Sequence, residues 1–181
     1  MLKMLYAQGD NAGGGAAAPQ HYEFVAETVV AGGAVTTVTF AGLDINTHEL
    51  YVLFFSIDYV GAGGAQFYMY VENDLVAANY YTQNNRGIGA VLTGERSNDP
   101  RIGTCDNASK CVGQVSIFKD VEGRYRTLSH LAQNNGVNLL ILFYSICKTA
   151  AVANITRLDI VSSGANGIGN GSYFRLYRVT S

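Results

Sequence analysis

From His21 onward the sequence alternates apolar and polar residues with a period of two, in short runs broken by Gly and Asn. That period suits a pleated strand, whose successive side chains leave on opposite faces. It cannot line one face of a helix, which needs a period near 3.6. HYEFVAETVV (21–30) and VTTVTFAG (35–42), joined by AGGA, read as two strands of a hairpin. HELYVLFFSIDYV (48–60), QFYMYVEN (66–73) and AANYYTQ (77–83) follow as strands. Residues 84–113 read as loop-rich, with NNRG, RSNDPRIG and two cysteines. VGQVSIFKD (112–120) and YRTLSHLAQ (125–133) flank the turn VEGR as a second hairpin. The apolar run 137–147, NITRLDIVSS (154–163) and YFRLYRVT (173–180) complete the series, and TAAVAN (149–154) has room for one helical turn. Some ten short strands without a long helical pattern predict an all-β fold, an antiparallel two-sheet sandwich over residues 20–181.

Composition narrows the function. Charged residues make up 14% of the chain, against about 25% in an ordinary soluble domain. Twelve Lys plus Arg face fourteen Asp plus Glu with no basic stripe, which argues against a phosphate-dominated nucleic-acid binder. Segments 50–57 and 139–147 are apolar at nearly every position. Such strands are either central and covered on both faces, or have an outer face that meets another subunit, and the low charge favours the second. No apolar run reaches the roughly 20 residues of a membrane helix. MLKML is too short for the apolar part of a signal peptide, so the expectation is a soluble chain made in a cytoplasm, with no membrane partner.

Residues 1–19 read as an extended N-terminal arm. Leu2, Met4, Leu5 and Tyr6 form a small apolar anchor, Gly9–Ala18 a thin tether, and Pro19 closes the segment. Cys105 and Cys111 flank DNASK and could close a hairpin by a disulfide if their Cβ vectors agree. Two free thiols are the alternative, since cytoplasmic synthesis disfavours oxidation. Cys147 ends an apolar strand and reads as a buried small hydrophobe. No His lies near the cysteine loop, so no metal site is expected there.

Catalysis needs convergent groups, and the sequence offers few. His21, His48 and His130 are scattered, and Asp44, Asp58, Glu72 and Asp74 sit at strand ends or turns. Asp120 and Glu122 bracket a hairpin turn. GANGIGNGS (164–172) lacks the strand–loop–helix context and the Lys of a phosphate cradle, and reads as a long flexible loop. Sequons at Asn107, Asn154 and Asn170 read as coincidence. No catalytic residue, cofactor or metal is expected, and the chain is not read as an enzyme.

The ending ITRLDIVSSGANGIGNGSYFRLYRVTS resembles small β-rich virion proteins of tailed bacteriophages. These close on an alternating strand, a Gly/Asn loop, then GS and an aromatic–Leu–Tyr strand, carried here by Gly171, Ser172, Phe174, Leu176 and Tyr177. YEFVAETVVAGGAVTTVTFAGL is similar to their opening hairpin, and ANYYTQ and SIFKDVEGRYRTLSH stand where they have middle hairpins. The resemblance covers residues 20–181 and leaves out the arm. It implies a jelly-roll-like sandwich on the virion, often trimeric, without catalytic residues. One expectation is a capsid decoration (cement) protein on the capsid surface, assembled in the host cytoplasm. It would bind the major capsid protein across capsomers as a homotrimer, with Leu2, Met4, Leu5, Tyr6 and Pro19 in the gripping arm. The other is a tail-fibre or receptor-binding module. There the arm anchors to tail proteins, while Tyr80, Tyr81 and residues 84–103 face a host surface receptor.

Overall fold

The computed structural model describes residues 21–88, 91–106, 109–134 and 139–180. The arm, with Leu2, Met4, Leu5, Tyr6 and Pro19, lies outside the described residues. The elements in chain order are β1 (His21–Val29), β2 (Thr37–Ala41), α1 (Ile45–His48), β3 (Leu50–Asp58), β4 (Gly64–Val71), β5 (Tyr80–Ile88) and β6 (Val91–Ser97). They continue with β7 (Arg101–Asp106), β8 (Lys110–Lys119), β9 (Arg124–Asn134), β10 (Leu139–Ala151), β11 (Arg157–Ser162) and β12 (Tyr173–Thr180). Two antiparallel sheets result, an eight-stranded one ordered β1-β12-β3-β8-β9-β10-β5-β6 and a four-stranded one ordered β2-β11-β4-β7.

The order is that of a jelly roll carrying a wing. β1-β12-β3-β8 faces β2-β11-β4-β7, and the chain changes sheet at every step between these eight strands except from β4 to β7, which pair within the smaller sheet. Two insertions, β5–β6 and β9–β10, extend the larger sheet beyond its partner. Inward residues of the two sheets meet in one core, with Leu53, Ile117 and Phe174 from one side and Phe67, Ile102 and Ile160 from the other, all fully buried.

Sheet switching corrects the first expected hairpin. β1 pairs with β12 and β2 with β11, so 21–30 and 35–42 lie in different sheets. Their connection runs through Gly32 and Gly33, both at positive φ, and crosses the end of the sandwich. The expected hairpin between β8 and β9 is present. Residues 84–113 are not loop-rich, since β5 continues to Ile88 and β6, β7 and β8 follow. β6 escapes the alternation rule because it is an edge strand exposed along its length, where polarity carries no period. TAAVAN forms no helix, because β10 runs through Ala151. The helical turn is α1, capped by Asp44, whose carboxylate accepts from the Asn46 and Thr47 amides at 3.2 and 3.3 Å. GANGIGNGS is not free either. Ile168 is fully buried and exchanges backbone hydrogen bonds with Val35 at 2.9 and 3.0 Å. Gly169 lies so close to the Asp58 carbonyl that a Cβ there would collide with it.

Two contacts hold the construction across its joints. Cys105 on β7 and Cys111 on β8 are fully buried, their Cα atoms 6.2 Å apart and their sulfurs in contact. They close no hairpin but span the crossing from one sheet to the other. At the wing, Asp74 in the β4–β5 connection pairs with Lys148 of β10 and accepts two bonds from Asn79 at 2.9 and 3.0 Å. Tyr80 sits under the Lys148 ammonium, 5.1 Å from ring centroid to Nζ, donates to the Asp74 carbonyl at 3.0 Å and accepts from the Val71 amide at 3.2 Å.

Titration of denatured, unreduced protein is expected to find one reactive thiol, Cys147, with Cys105 and Cys111 joined. A chain cross-link over so short a loop stabilises by about 2 kcal/mol, which reduction should remove. Three reactive thiols would contradict it. Acid sensitivity follows from Asp74. Burial pushes its carboxyl up, but the bonds from Lys148 and Asn79 outweigh this and hold it below its ordinary value. A depressed carboxyl stabilises the fold above its unfolded pKa and loses that contribution as pH falls through the folded one. Urea denaturation should show stability level above about pH 5 and declining below about pH 4. Asp74→Asn should make that decline shallower and cost about 3 kcal/mol at neutral pH by stranding Lys148.

Candidate functional site

The largest chemical anomaly of the molecule is the outer face of the eight-stranded sheet. On β9 and β10 the inward residues alternate with Leu128, His130, Ile141 and Phe143, which point away from the core. Register aligns the outward residues into rows across the sheet. Ser56, Val112, Ala132 and Ile141 stand side by side, as do Phe54, Gln114, His130, Phe143 and Asn85. A third row runs Val52, Ser116, Leu128, Ser145 and Gln83. Val112 is 50% exposed, Leu128 51%, Ile141 45% and Phe143 46%, on the face where a solvated antiparallel sheet would be polar. The His130 imidazole packs edge-on to the Phe143 ring with centroids 4.9 Å apart.

Towards β1 this face becomes aromatic. Tyr22, Phe54, Tyr173, Tyr177 and Arg175 line an open basin of about 230 Å³. The Tyr177 ring meets Phe54 at 5.7 Å and Tyr22 at 6.3 Å, both edge-to-face. Arg175 lies over the Tyr173 ring at 5.5 Å and pairs with Glu27, which keeps its guanidinium above the ordinary value. A wider groove of about 1200 Å³ runs beside it between the start of β1, α1 and the outer sides of Val52 and Phe118.

The carboxylates and histidines singled out in the sequence are spread through structural roles. His21 and His48 border the wide groove, while His130 lies out on the sheet. His48 Nε2 lies 2.9 Å from Arg178 Nη1, and Arg178 also holds Glu23, whose carboxyl that bond keeps below its usual range. Asp44 caps α1 and is held low first by the Thr47 hydroxyl and then by Asn154. Asp58 pairs with Lys110 at 3.1 Å, and Glu72 accepts from the Arg157 amide at 2.9 Å. Asp120 closes the β8–β9 turn, its carboxyl held low first by the Arg124 amide and then by Arg126. Ser172 Oγ accepts from the Asp58 amide at 2.9 Å, and Phe174 and Leu176 face the core while Tyr177 faces out. Among the described residues no group of three or more His, Cys, Asp or Glu could hold a metal ion. No helix among them is long and apolar enough to cross a membrane.

Three expectations need correction here. Tyr80 does not face outward: it is fully buried, and burial drives its phenol far above the ordinary value. Tyr81 does face outward, but residues 84–103 are mostly strand rather than a displayed loop. Cys147 is not a core residue. It is half-buried on the outer face, in the row of Arg126 and Tyr81. The Tyr173–Arg175–Tyr177 edge of the basin was legible as an alternation. Tyr22 and Phe54 join it only through the pairing of β1 and β3 with β12, which no local pattern encodes. Set against protein-family models and against curated proteins, the sequence matches none.

Proposed function

We propose that this chain is a structural protein of a tailed-phage virion, a capsid decoration (cement) protein. It binds the major capsid protein across capsomers as a homotrimer, with residues 1–19 anchored on the capsid or on a neighbour. It sits on the capsid surface and is assembled in the host cytoplasm. The single observation that carries the reading is the exposed, charge-poor apolar face of the eight-stranded sheet. Large contiguous apolar patches serve association, and a cement protein works by adding buried area across joints. The structural engagement of the carboxylates and His48 fits a role in binding rather than chemistry. Removing residues 2–19 should leave a folded protein that no longer binds expanded capsids in a co-sedimentation assay. Undiminished binding by the shortened chain would overturn the role given to Leu2, Met4, Leu5, Tyr6 and Pro19.

The aromatic basin favours a second reading, a tail-fibre or receptor-binding module. Open Tyr and Phe rings beside an Arg–Glu pair suit contact with a sugar or protein on the host surface. The arm would then join tail proteins. Counting copies in purified virions by mass spectrometry separates the two: many copies over the head support decoration, and a few at one vertex support the tail.

A further inference from the structure

The central part of the outer sheet face carries a more specific assignment, independent of where on a particle the chain sits. Across β3, β8, β9, β10 and β5, the three middle rows contain no Asp, Glu, Lys or Arg. Ionised groups border these rows at the two ends of the strands and at the two sides, where Arg175 of β12 stands beside Phe54 and Arg96 of β6 donates to Gln83. Lys110 pairs with Asp58 at 3.1 Å at one end, and Arg126 with Asp120 at 2.8 Å at the other. Between them lie Val112, Leu128, Ile141 and Phe143, interspersed with Gln114, His130, Ser145 and Asn85.

We propose that this face is buried against a second copy of the chain, with Leu128 and Phe143 at the centre of the contact. Charge selects the occupant. A nucleic acid or a strongly charged protein would bring charges that nothing in these rows answers, whereas an identical face brings none. Two copies of a face with balanced pairs at its ends meet without like-charge repulsion, and its amide, hydroxyl and imidazole groups can hydrogen-bond one another across the contact. Area agrees. Five strands about 4.8 Å apart, over the six residues of about 3.4 Å each that three rows occupy, present roughly 490 Å² before side-chain relief is counted. A stable interface takes about 800 Å² of accessible surface from each partner, and the relief of exposed Leu, Ile, Val and Phe side chains supplies the difference. Sheets stacked face to face in this way lie about 10 Å apart, as they do inside a sandwich.

Sedimentation velocity of the full chain, without capsids, tests the assignment. The wild-type protein should sediment at tens of micromolar as a dimer, or as a pair of trimers where the three-fold of the decoration reading also forms, and Leu128→Asp and Phe143→Asp should each weaken that pairing by roughly 30-fold or more while circular dichroism stays native. Thr37→Asp, on the exposed edge strand of the other sheet, should leave the oligomer intact. If an Asp variant fails to fold, Leu128→Ser makes the same comparison with a smaller change. A monomeric wild type overturns the assignment, as does a pairing that survives both Asp substitutions or one that Thr37→Asp disrupts. A monomer that instead floats with neutral phosphatidylcholine vesicles also overturns it, in favour of a lipid surface. The outcome is separable from the decoration reading. An oligomer that ignores capsids leaves this contact standing, and a monomer that binds capsids removes both the contact and the homotrimer while keeping capsid binding.

Discussion

The structure turns on a mismatch of widths: an eight-stranded sheet packs against a four-stranded one. The jelly roll itself is balanced, four strands against four. The wing of β9, β10, β5 and β6 is not, and its inner face would be left bare. Cover comes from β4, β7 and the β4–β5 connection; Leu131, Leu142 and Ile146 join the common core, and hydroxyls add hydrogen bonds across the contact. Tyr144 meets Thr104 at 2.7 Å, Ser129 donates to the Ile102 carbonyl at 2.8 Å, and Tyr125 reaches the Met69 carbonyl at 3.3 Å. Such bonds are directional, so they fix where the wing sits, while the aliphatic core of the roll supplies most of the burial. The Asp74–Lys148–Tyr80 cluster stands at the same joint.

The other consequence of the wing falls on its outer side. Strands added beyond the roll extend the sheet surface without adding a layer above it. In a solitary soluble domain that surface would be polar. Here Leu128, Ile141 and Phe143 all come from the inserted β9–β10 pair. The insertion thus carries the most apolar part of the exposed face, whereas the jelly-roll half contributes the aromatic basin. The apolar face and the aromatic basin therefore occupy different halves of one sheet, about three strand spacings apart.

How far the sequence discloses this depends on whether a feature is local. Alternation located most strands and the all-β class, because the side-chain period is a property of a single strand. Pairing is not. The AGGA link suits a hairpin turn, yet the β1 edge is completed by β12 from the far end of the chain, and the hairpin loses to the larger burial that sheet switching permits. Polar edge strands such as β6 gave no period and read as loop. The apolar runs at 50–57 and 139–147 read as strands covered on both faces or meeting a subunit, and the two strands differ in what their outer faces show. Val52 is buried on the outer side of β3, while Ile141 and Phe143 on β10 stay exposed. The basin was half visible, since β12 supplied its alternating Tyr–Arg–Tyr locally and register supplied the rest.

A wide sheet can associate through its edges or through its face, and the chain treats these two routes in opposite ways. The β6 edge carries Gly94, Glu95 and Arg96 in succession, a charged and kinkable border that opposes strand addition. The β1 edge is interrupted where its register slips between Phe24 and Ala26, and it carries Glu23 and Glu27 held by Arg178 and Arg175. A register slip twists an edge away from a flat partner, and fixed charges make one costly to desolvate. With both edges blunted and the central rows left free of charge, open-ended strand-on-strand growth is suppressed while face contact remains open. Face contact between two identical copies closes on itself, so association through this surface ends in a defined oligomer instead of a fibre.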